Sequence, residues 1–319
     1  MSIRTTTGPA TARRKRRPNA LSRIAVGVNG HPEGNDAVVL GAAIARTAGA
    51  ELILVFVHPE PLVVLPEQVN WSSVERQAAA MLREARDAFA PGARIVVETG
   101  LSVPRTLERV VRREHRDLLV VGSSRHASEG RVRIGKRTRQ LLGRFNCSLA
   151  IAPRGMSRRP DGALARIGVG YDGGPGSEAA LALAGTIAVS AGAQLLLCAV
   201  VDDRVPPVGW FSLLADHAAI QRWEERVVAE MKALRELGLS AAKATGARAR
   251  AEVSRGRPAD ALLELSAEVD MLVIGSRRWG PVTRVLLGST GEALAHEAAS
   301  PLVIVPRPRG DGRDSSLPT

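Results

Sequence analysis

Met271-Leu272-Val273-Ile274-Gly275-Ser276 opens a stretch that runs through a basic loop to Gly288-Ser289-Thr290 and closes on Pro301-Leu302-Val303-Ile304-Val305-Pro306. A helix-like segment separates the last glycine from the closing strand. Apolar strand, glycine loop, helix start and apolar strand, in that order, make a phosphate-binding device. Free N–H groups and the positive end of the helix dipole suit an anion, and glycines let a polyphosphate approach the main chain. Glycine turns and an N-cap Ser289 can also simply serve the fold, so spacing alone leaves both roles open.

The same order occurs earlier, from Leu118-Leu119-Val120-Val121-Gly122-Ser123 through Gly135-Lys136 to Leu149-Ala150-Ile151-Ala152-Pro153-Arg154. In both copies the first glycine and the last loop glycine lie 13 positions apart. Arg23-Ile24-Ala25-Val26-Gly27-Val28-Asn29-Gly30 aligns with Arg166-Ile167-Gly168-Val169-Gly170-Tyr171-Asp172-Gly173 at an offset of 143, and Ala48-Gly49-Ala50 matches Ala191-Gly192-Ala193 at the same offset. Each copy exceeds any solenoid unit, so the repeat is a duplicated domain. The 319 residues accommodate two domains of ordinary size, each with its own core. The expected layout is a disordered basic tail at 1–21, a first domain at 22–154, a linker at 155–164, a second domain at 165–307 and a disordered tail at 308–319.

Within each copy the periodicity reads βαβαβαβαβ. Leu52 to Val57 is a continuous apolar run, the pattern of a strand covered on both faces. Val74, Ala78, Met81, Leu82, Ala85 and Phe89 share one helical face, with Ser72 and Glu75 in capping-box spacing. In the second copy Ile220, Trp223, Val227, Met231 and Leu234 do the same, and Gly238 is the expected stop. Alternating strands and helices on short loops predict an α/β fold of two tandem doubly wound, mostly parallel five-stranded sheets, Rossmann-like, with right-handed crossovers. Ligands then bind outside the carboxyl ends of the strands, where Asn29, Asp172 and the glycine loops fall.

Composition narrows the function classes. Net charge is +12, and six of those charges lie in the first twenty residues, at Arg4 and Arg13-Arg14-Lys15-Arg16-Arg17. That tail can attract nucleic-acid phosphates without sequence preference, but aromatics make up only 3% of the chain, which argues against base stacking. No apolar run approaches the roughly 20 residues of a membrane span, and no apolar segment follows the basic run as a secretory signal requires, so the expected location is the cytoplasm. Cys147 and Cys198 fall at non-equivalent positions beside apolar strands and read as buried thiols. The six histidines show no ligand spacing, so no metal site is expected.

Asp172 ends a strand where its carboxylate can accept hydrogen bonds from a base or ribose. Gly275 and Ser276 end a neighbouring strand, and Gly288, Ser289 and Thr290 offer amides and hydroxyls to phosphates, so the set outlines a mononucleotide. The spacing is neither a Walker loop nor the dinucleotide fingerprint. On Val169-Gly170-Tyr171-Asp172-Gly173, Val273-Ile274-Gly275-Ser276-Arg277 and Leu286-Leu287-Gly288-Ser289-Thr290, the chain resembles a tandem universal stress protein, with the adenine nucleotide alpha hydrolase-like fold. The resemblance covers about residues 22–154 and 165–307.

That resemblance implies ATP, AMP or ADP as ligand, with Mg²⁺ accompanying ATP. Asp172 would contact adenine, Val200 would line the base pocket, Gly275 would meet the ribose, and Gly288, Ser289 and Thr290 would meet the phosphates. ATP-binding members carry glycine, two residues, glycine, nine residues, then Gly-Ser/Thr. Here Arg278 replaces the second glycine, with Gly280 further on; its guanidinium can block the phosphate path or pair with it. In the first copy Asn29 replaces the aspartate, Val57 matches Val200, Gly122 and Gly135 persist, Arg125 replaces the second glycine and Lys136 the serine. In that copy Lys136, Arg137 and Thr138 can still hold an anion and the amide can pair with adenine's edge, or the copy is a degenerate one kept for packing.

The resemblance also implies that the last strands, Leu149 to Ala152 and Leu302 to Val305, pair the two halves edge to edge; a further homodimer stays open. No residue of the motif is an obvious base near a γ-phosphate, so the expected role is a nucleotide-binding stress-response or signalling module, not an enzyme. Glu292 reads as a surface residue compensating the helix dipole. The competing expectations are a slow ATPase and a nucleotide-free scaffold whose basic tail binds nucleic acid.

Overall fold

The computed structural model describes residues 21–59, 71–142, 147–159, 163–201, 217–278 and 285–307, with backbone alone for Trp71, 217–220, 277–278 and 285–286. Residues 1–20 and 308–319 of the expected tails and Gly280 lie outside the described residues, as does the side chain of Arg278, whereas Leu21, counted in the first tail, is buried in the core.

The first half runs β1 (Arg23–Val28), α1 (Pro32–Ala48), β2 (Glu51–Pro59), α2 (Trp71–Phe89), β3 (Arg94–Gly100), α3 (Val103–Arg113), β4 (Leu118–Gly122), α4 (Lys136–Leu142) and β5 (Ser148–Ala152). The second repeats it as β6 (Arg166–Gly170), α5 (Pro175–Ala191), β7 (Gln194–Val201), α6 (His217–Ala244), β8 (Arg248–Arg255), α7 (Pro258–Glu268), β9 (Met271–Gly275), α8 (Ser289–Glu297) and β12 (Leu302–Val305). An antiparallel strand pair, β10 (Arg277–Arg278) with β11 (Val285–Leu286), lies within the second glycine loop.

Punctuation explains where α1 and α5 start and stop. Each opens with proline in its first turn, where a missing N–H costs nothing, and closes on a left-handed glycine, Gly49 at φ 63° and Gly192 at φ 65°. The repeated Ala-Gly-Ala is therefore a helix stop. Two details of the sequence reading change. Ser72 lies inside α2, which includes Trp71, rather than capping it. Gly238 does not end α6: the helix continues to Ala244, and Gly238 is buried, a Cβ there falling 3.2 Å from Leu197 and 3.3 Å from Tyr171. A methyl there would sit tightly against those two side chains, so glycine lets α6 lie close on the sheet.

Both halves have strand order 3-2-1-4-5, and they share one ten-stranded sheet, β3-β2-β1-β4-β5-β12-β9-β6-β7-β8. All neighbours are parallel except β5 and β12, which pair antiparallel with Ile151 opposite Leu302, Ala150 opposite Val303 and Leu149 opposite Ile304. The junction covers two sheet edges that would otherwise be open. Strand alternation divides the core into two layers. Ile24, Val26, Val120 and Ala150 pack with α1, α2, α5 and α6, while Ala25, Leu119, Leu149 and Ile304 pack with α3, α4, α7 and α8. Each layer is continuous across both halves, so they share one interior.

The connection between halves is held at its start. Gly155 N–H and Ser157 N–H donate to the Asp36 carboxylate at 2.8 and 2.7 Å, and the Ser157 hydroxyl donates at 2.6 Å; Asp36, on α1, is 1% exposed. Cys147 and Cys198 are free and half-buried. Burial pushes the Cys147 thiol up to about 12 and the Cys198 thiol up to about 11. Both are thus protonated near neutrality, and the thiolate is the nucleophile. Aromatic disulfide reagents at pH 8 are expected to label native protein at least about tenfold more slowly than the urea-unfolded chain; equal rates would place a reactive thiol at the surface.

Candidate functional site

In a parallel βαβ unit the crossover helix runs back along the sheet, so the helix after a strand begins at the carboxyl edge. That places Asp172 after β6, Val200 near the end of β7, Gly275 at the end of β9 and Gly288-Ser289-Thr290 at the start of α8 on one edge of the second half. Asp172 is exposed, Val200 is half-buried, and Ser289 is exposed at the first position of α8, whose N-cap is Gly288.

Asp172 divides its two oxygens between tasks. The Gly174 N–H and the Ser177 hydroxyl donate to Oδ1 at 2.9 and 2.7 Å, which ties the strand end to the first turn of α5. Among the described residues, Oδ2 accepts no hydrogen bond. Beside it, buried Tyr171 donates its hydroxyl to Glu178, and burial followed by that hydrogen bond holds the phenol well above its usual range, so it stays protonated.

Gly275 has a steric reason for being glycine. A Cβ there would lie 2.3 Å from the Gly176 carbonyl carbon and 2.8 Å from Ser177 N, so α5 rests directly on the end of β9. Gly122 is under the same constraint, 1.9 Å from Glu33 O. Ser276 is 4% exposed; its N–H donates to Val305 O at 2.8 Å and its Oγ accepts the Arg307 N–H at 3.3 Å. The equivalent Ser123 donates to Ala152 O at 2.7 Å. Both serines fasten the loop to the last strand of their half, a task the motif does not advertise.

The first half has a cleft of about 200 Å³ at its carboxyl edge. Asn29, Val57 and Gly122 line it, with Val28, Gly34, Phe56, Leu107, Arg137 and Thr138. Gly135 and Lys136 are not among its lining residues; Lys136 is exposed, and the cation in the wall is Arg137. Arg125 is exposed too, its Nε 3.3 Å from His126 Nε2.

The loop after β4 has a second role that sequence reasoning missed. Val132 and Ile134 donate their N–H groups to Ala298 O and Ala295 O, both at 2.8 Å, and Arg131 reaches Glu297 O at 3.1 Å. These are the orphan carbonyls at the C-terminal end of α8, and a cation there also complements the helix dipole. Val132 and Ile134 are buried with Leu294 and Ala295. Their alternation with arginine in Arg131-Val132-Arg133-Ile134 is the signal that could have exposed this edge.

One turn into each helix, Arg139 pairs with Glu292 at 2.7 Å and approaches His296 at 3.1 Å. Arg139 and Glu292 each stand fourth after their loop glycine, so equivalent positions meet with opposite charge. Two first halves paired in the same way would oppose arginine to arginine. The pair is half-exposed, worth up to about 1 kcal/mol, so it selects the partner more than it stabilises. Glu292 therefore has a partner in the other half beyond the helix dipole.

Among the described residues no helix is long and apolar enough to cross a membrane. The universal stress protein family matches residues 21–153 and again 164–306. A universal stress protein of Mycobacterium tuberculosis is 28% identical over 297 residues, covering 90% of this chain and 98% of the relative. One from Mycolicibacterium smegmatis is 27% identical over 312 residues, with 90% and 97% covered. The crystal structure of a universal stress protein from Archaeoglobus fulgidus superposes with a TM-score of 0.60 at 18% identity over 89% of this chain and 96% of that one, which shows a common fold. With both halves matched and tandem relatives spanned almost end to end, the chain belongs to the universal stress protein family.

Proposed function

We propose that the second half binds an adenine nucleotide, ATP foremost, and that the bound state rather than turnover carries a stress-response signal. One observation carries the reading. At the carboxyl edge, Asp172 commits one oxygen to Gly174 and Ser177 and leaves the other as an acceptor, on the edge where α8 begins with an exposed serine. A free carboxylate oxygen pairs with an exocyclic amine, and a helix start with hydroxyls suits phosphates. Val200 would flank the base, Gly288, Ser289 and Thr290 would hold the phosphates, and Arg278 would pair with them. Mg²⁺ would accompany the triphosphate. Glu292, the nearest carboxylate along α8, is engaged by Arg139, which supports binding without catalysis. The cytoplasm suits such a role.

Titrating the full chain with ATP, AMP and a cyclic nucleotide by calorimetry tests this. The expected stoichiometry for ATP is one. Asp172→Asn keeps the acceptor for Gly174 N–H but turns the free acceptor into a donor, and should weaken binding by about tenfold or more. Arg278→Gly should weaken ATP and leave adenosine unchanged. Absence of ATP heat, or indifference to Asp172→Asn, would end the reading.

A further inference from the structure

Asn29 and Asp172 stand at equivalent positions of the two halves and differ in one terminal atom of the side chain. In the second half Gly174 N–H and Ser177 hydroxyl occupy Asp172 Oδ1, and Oδ2 remains, an acceptor. In the first half His31 N–H donates to Asn29 Oδ1 at 3.1 Å. A backbone N–H can donate only to the oxygen of the amide, so this bond sets the orientation of the side chain. Gly34 stands where the second half has Ser177, and a Cβ there would come within 2.7 Å of Oδ1, so the oxygen lies against α1. Nδ2 is the other end of the amide, and among the described residues it donates to nothing. Asn29 lines the formed cleft, and Arg137 stands in the same wall.

We propose that the first cleft selects a nucleotide whose base presents a carbonyl, a 6-oxopurine, while the second selects adenine. This rests on the reading of the halves as nucleotide sites and assigns them opposite hydrogen-bonding polarity. A carboxylate oxygen rewards an exocyclic amine; an amide whose oxygen is turned to the His31 N–H and to α1 presents its N–H donors and rewards a carbonyl, whereas an amine would meet it donor to donor. Val57 and Leu107 give the base apolar walls, and Arg137 supplies the charge for a phosphate. Adenine keeps its ring nitrogens as acceptors, so the preference is on the order of tenfold rather than absolute.

The side-chain amide of Asn29 reports on this directly. In isotope-labelled full-length protein its resonance, identified by its loss in Asn29→Asp, should shift with inosine monophosphate at about a tenth of the adenosine monophosphate concentration needed. Asn29→Asp retains an oxygen for His31 N–H, and its backbone spectrum checks the fold. In that variant backbone resonances around the cleft should show the preference inverted, and Asp172→Asn should move the second half the opposite way. Equal affinity for the two nucleotides, with the ratio unmoved by Asn29→Asp, overturns the polarity and leaves nucleotide binding standing. No shift with either nucleotide, in wild type or variant, removes the first cleft as a nucleotide site and this proposal with it, while ATP binding that depends on Asp172 still decides the second half separately.

Discussion

Gly275→Ala and Gly122→Ala are each expected to cost about 3 kcal/mol or more of folding stability, before any ligand is considered. The added methyl of Gly275→Ala would sit 2.3 Å from the Gly176 carbonyl carbon and 2.4 Å from its oxygen, and that of Gly122→Ala 1.9 Å from Glu33 O. These are main-chain atoms of a helix start, which cannot rotate away as a side chain can. The helix must lift off the sheet, and in the second half this also pulls Ser177 from Asp172. Gly135→Ala is the control: its Cβ would meet only Ser124 Cβ at 3.8 Å, an ordinary contact, so a change within about 0.5 kcal/mol is expected. Urea unfolding of the three variants checks the order. Wild-type stability in Gly275→Ala with loss of ATP alone would return that glycine to a ribose-contacting role.

Asp36→Ala is expected to destabilise the chain by about 3 kcal/mol, because three donors at Gly155 and Ser157 lose an acceptor that is itself buried. Asp36→Asn keeps one acceptor oxygen and should lose less. The damage is local to the start of the inter-half connection, so hydrogen exchange is expected to accelerate first at Gly155 and Ser157, ahead of the sheet. A urea midpoint unchanged in Asp36→Ala would show that the β5–β12 junction holds the halves without help from this turn.

Much of the fold was legible because its signals are local. Strands buried on both faces announce themselves as apolar runs, proline and glycine mark the ends of α1 and α5, and the repeat could be checked copy against copy. Gly238 misled because a glycine inside a helix pressed on Tyr171 and Leu197 carries the same letter as one that ends a helix. The candidate site was legible as a set of positions: Asp172, Val200, Gly275 and the start of α8 do share one edge. Their tasks were not. Gly275 and Ser276 follow the motif, yet the first is held by contact with α5 and the second by Arg307, both far from it in sequence.

By itself the amino-acid sequence determined the duplication, the order of the main strands and helices, the edge on which the candidate site residues lie and the exchange of Asp172 for Asn29, since each follows from periodicity or from residue identity at a repeat position. Only the tertiary structure decided which atoms of Asp172 and Asn29 are already taken, that the loop after β4 caps a helix of the other half, and that Arg139 faces Glu292. The first is set by the turn that each side chain closes two residues on, whereas the other two depend on atoms brought together across 150 or so residues by the antiparallel β5–β12 junction, and no local pattern encodes such a meeting.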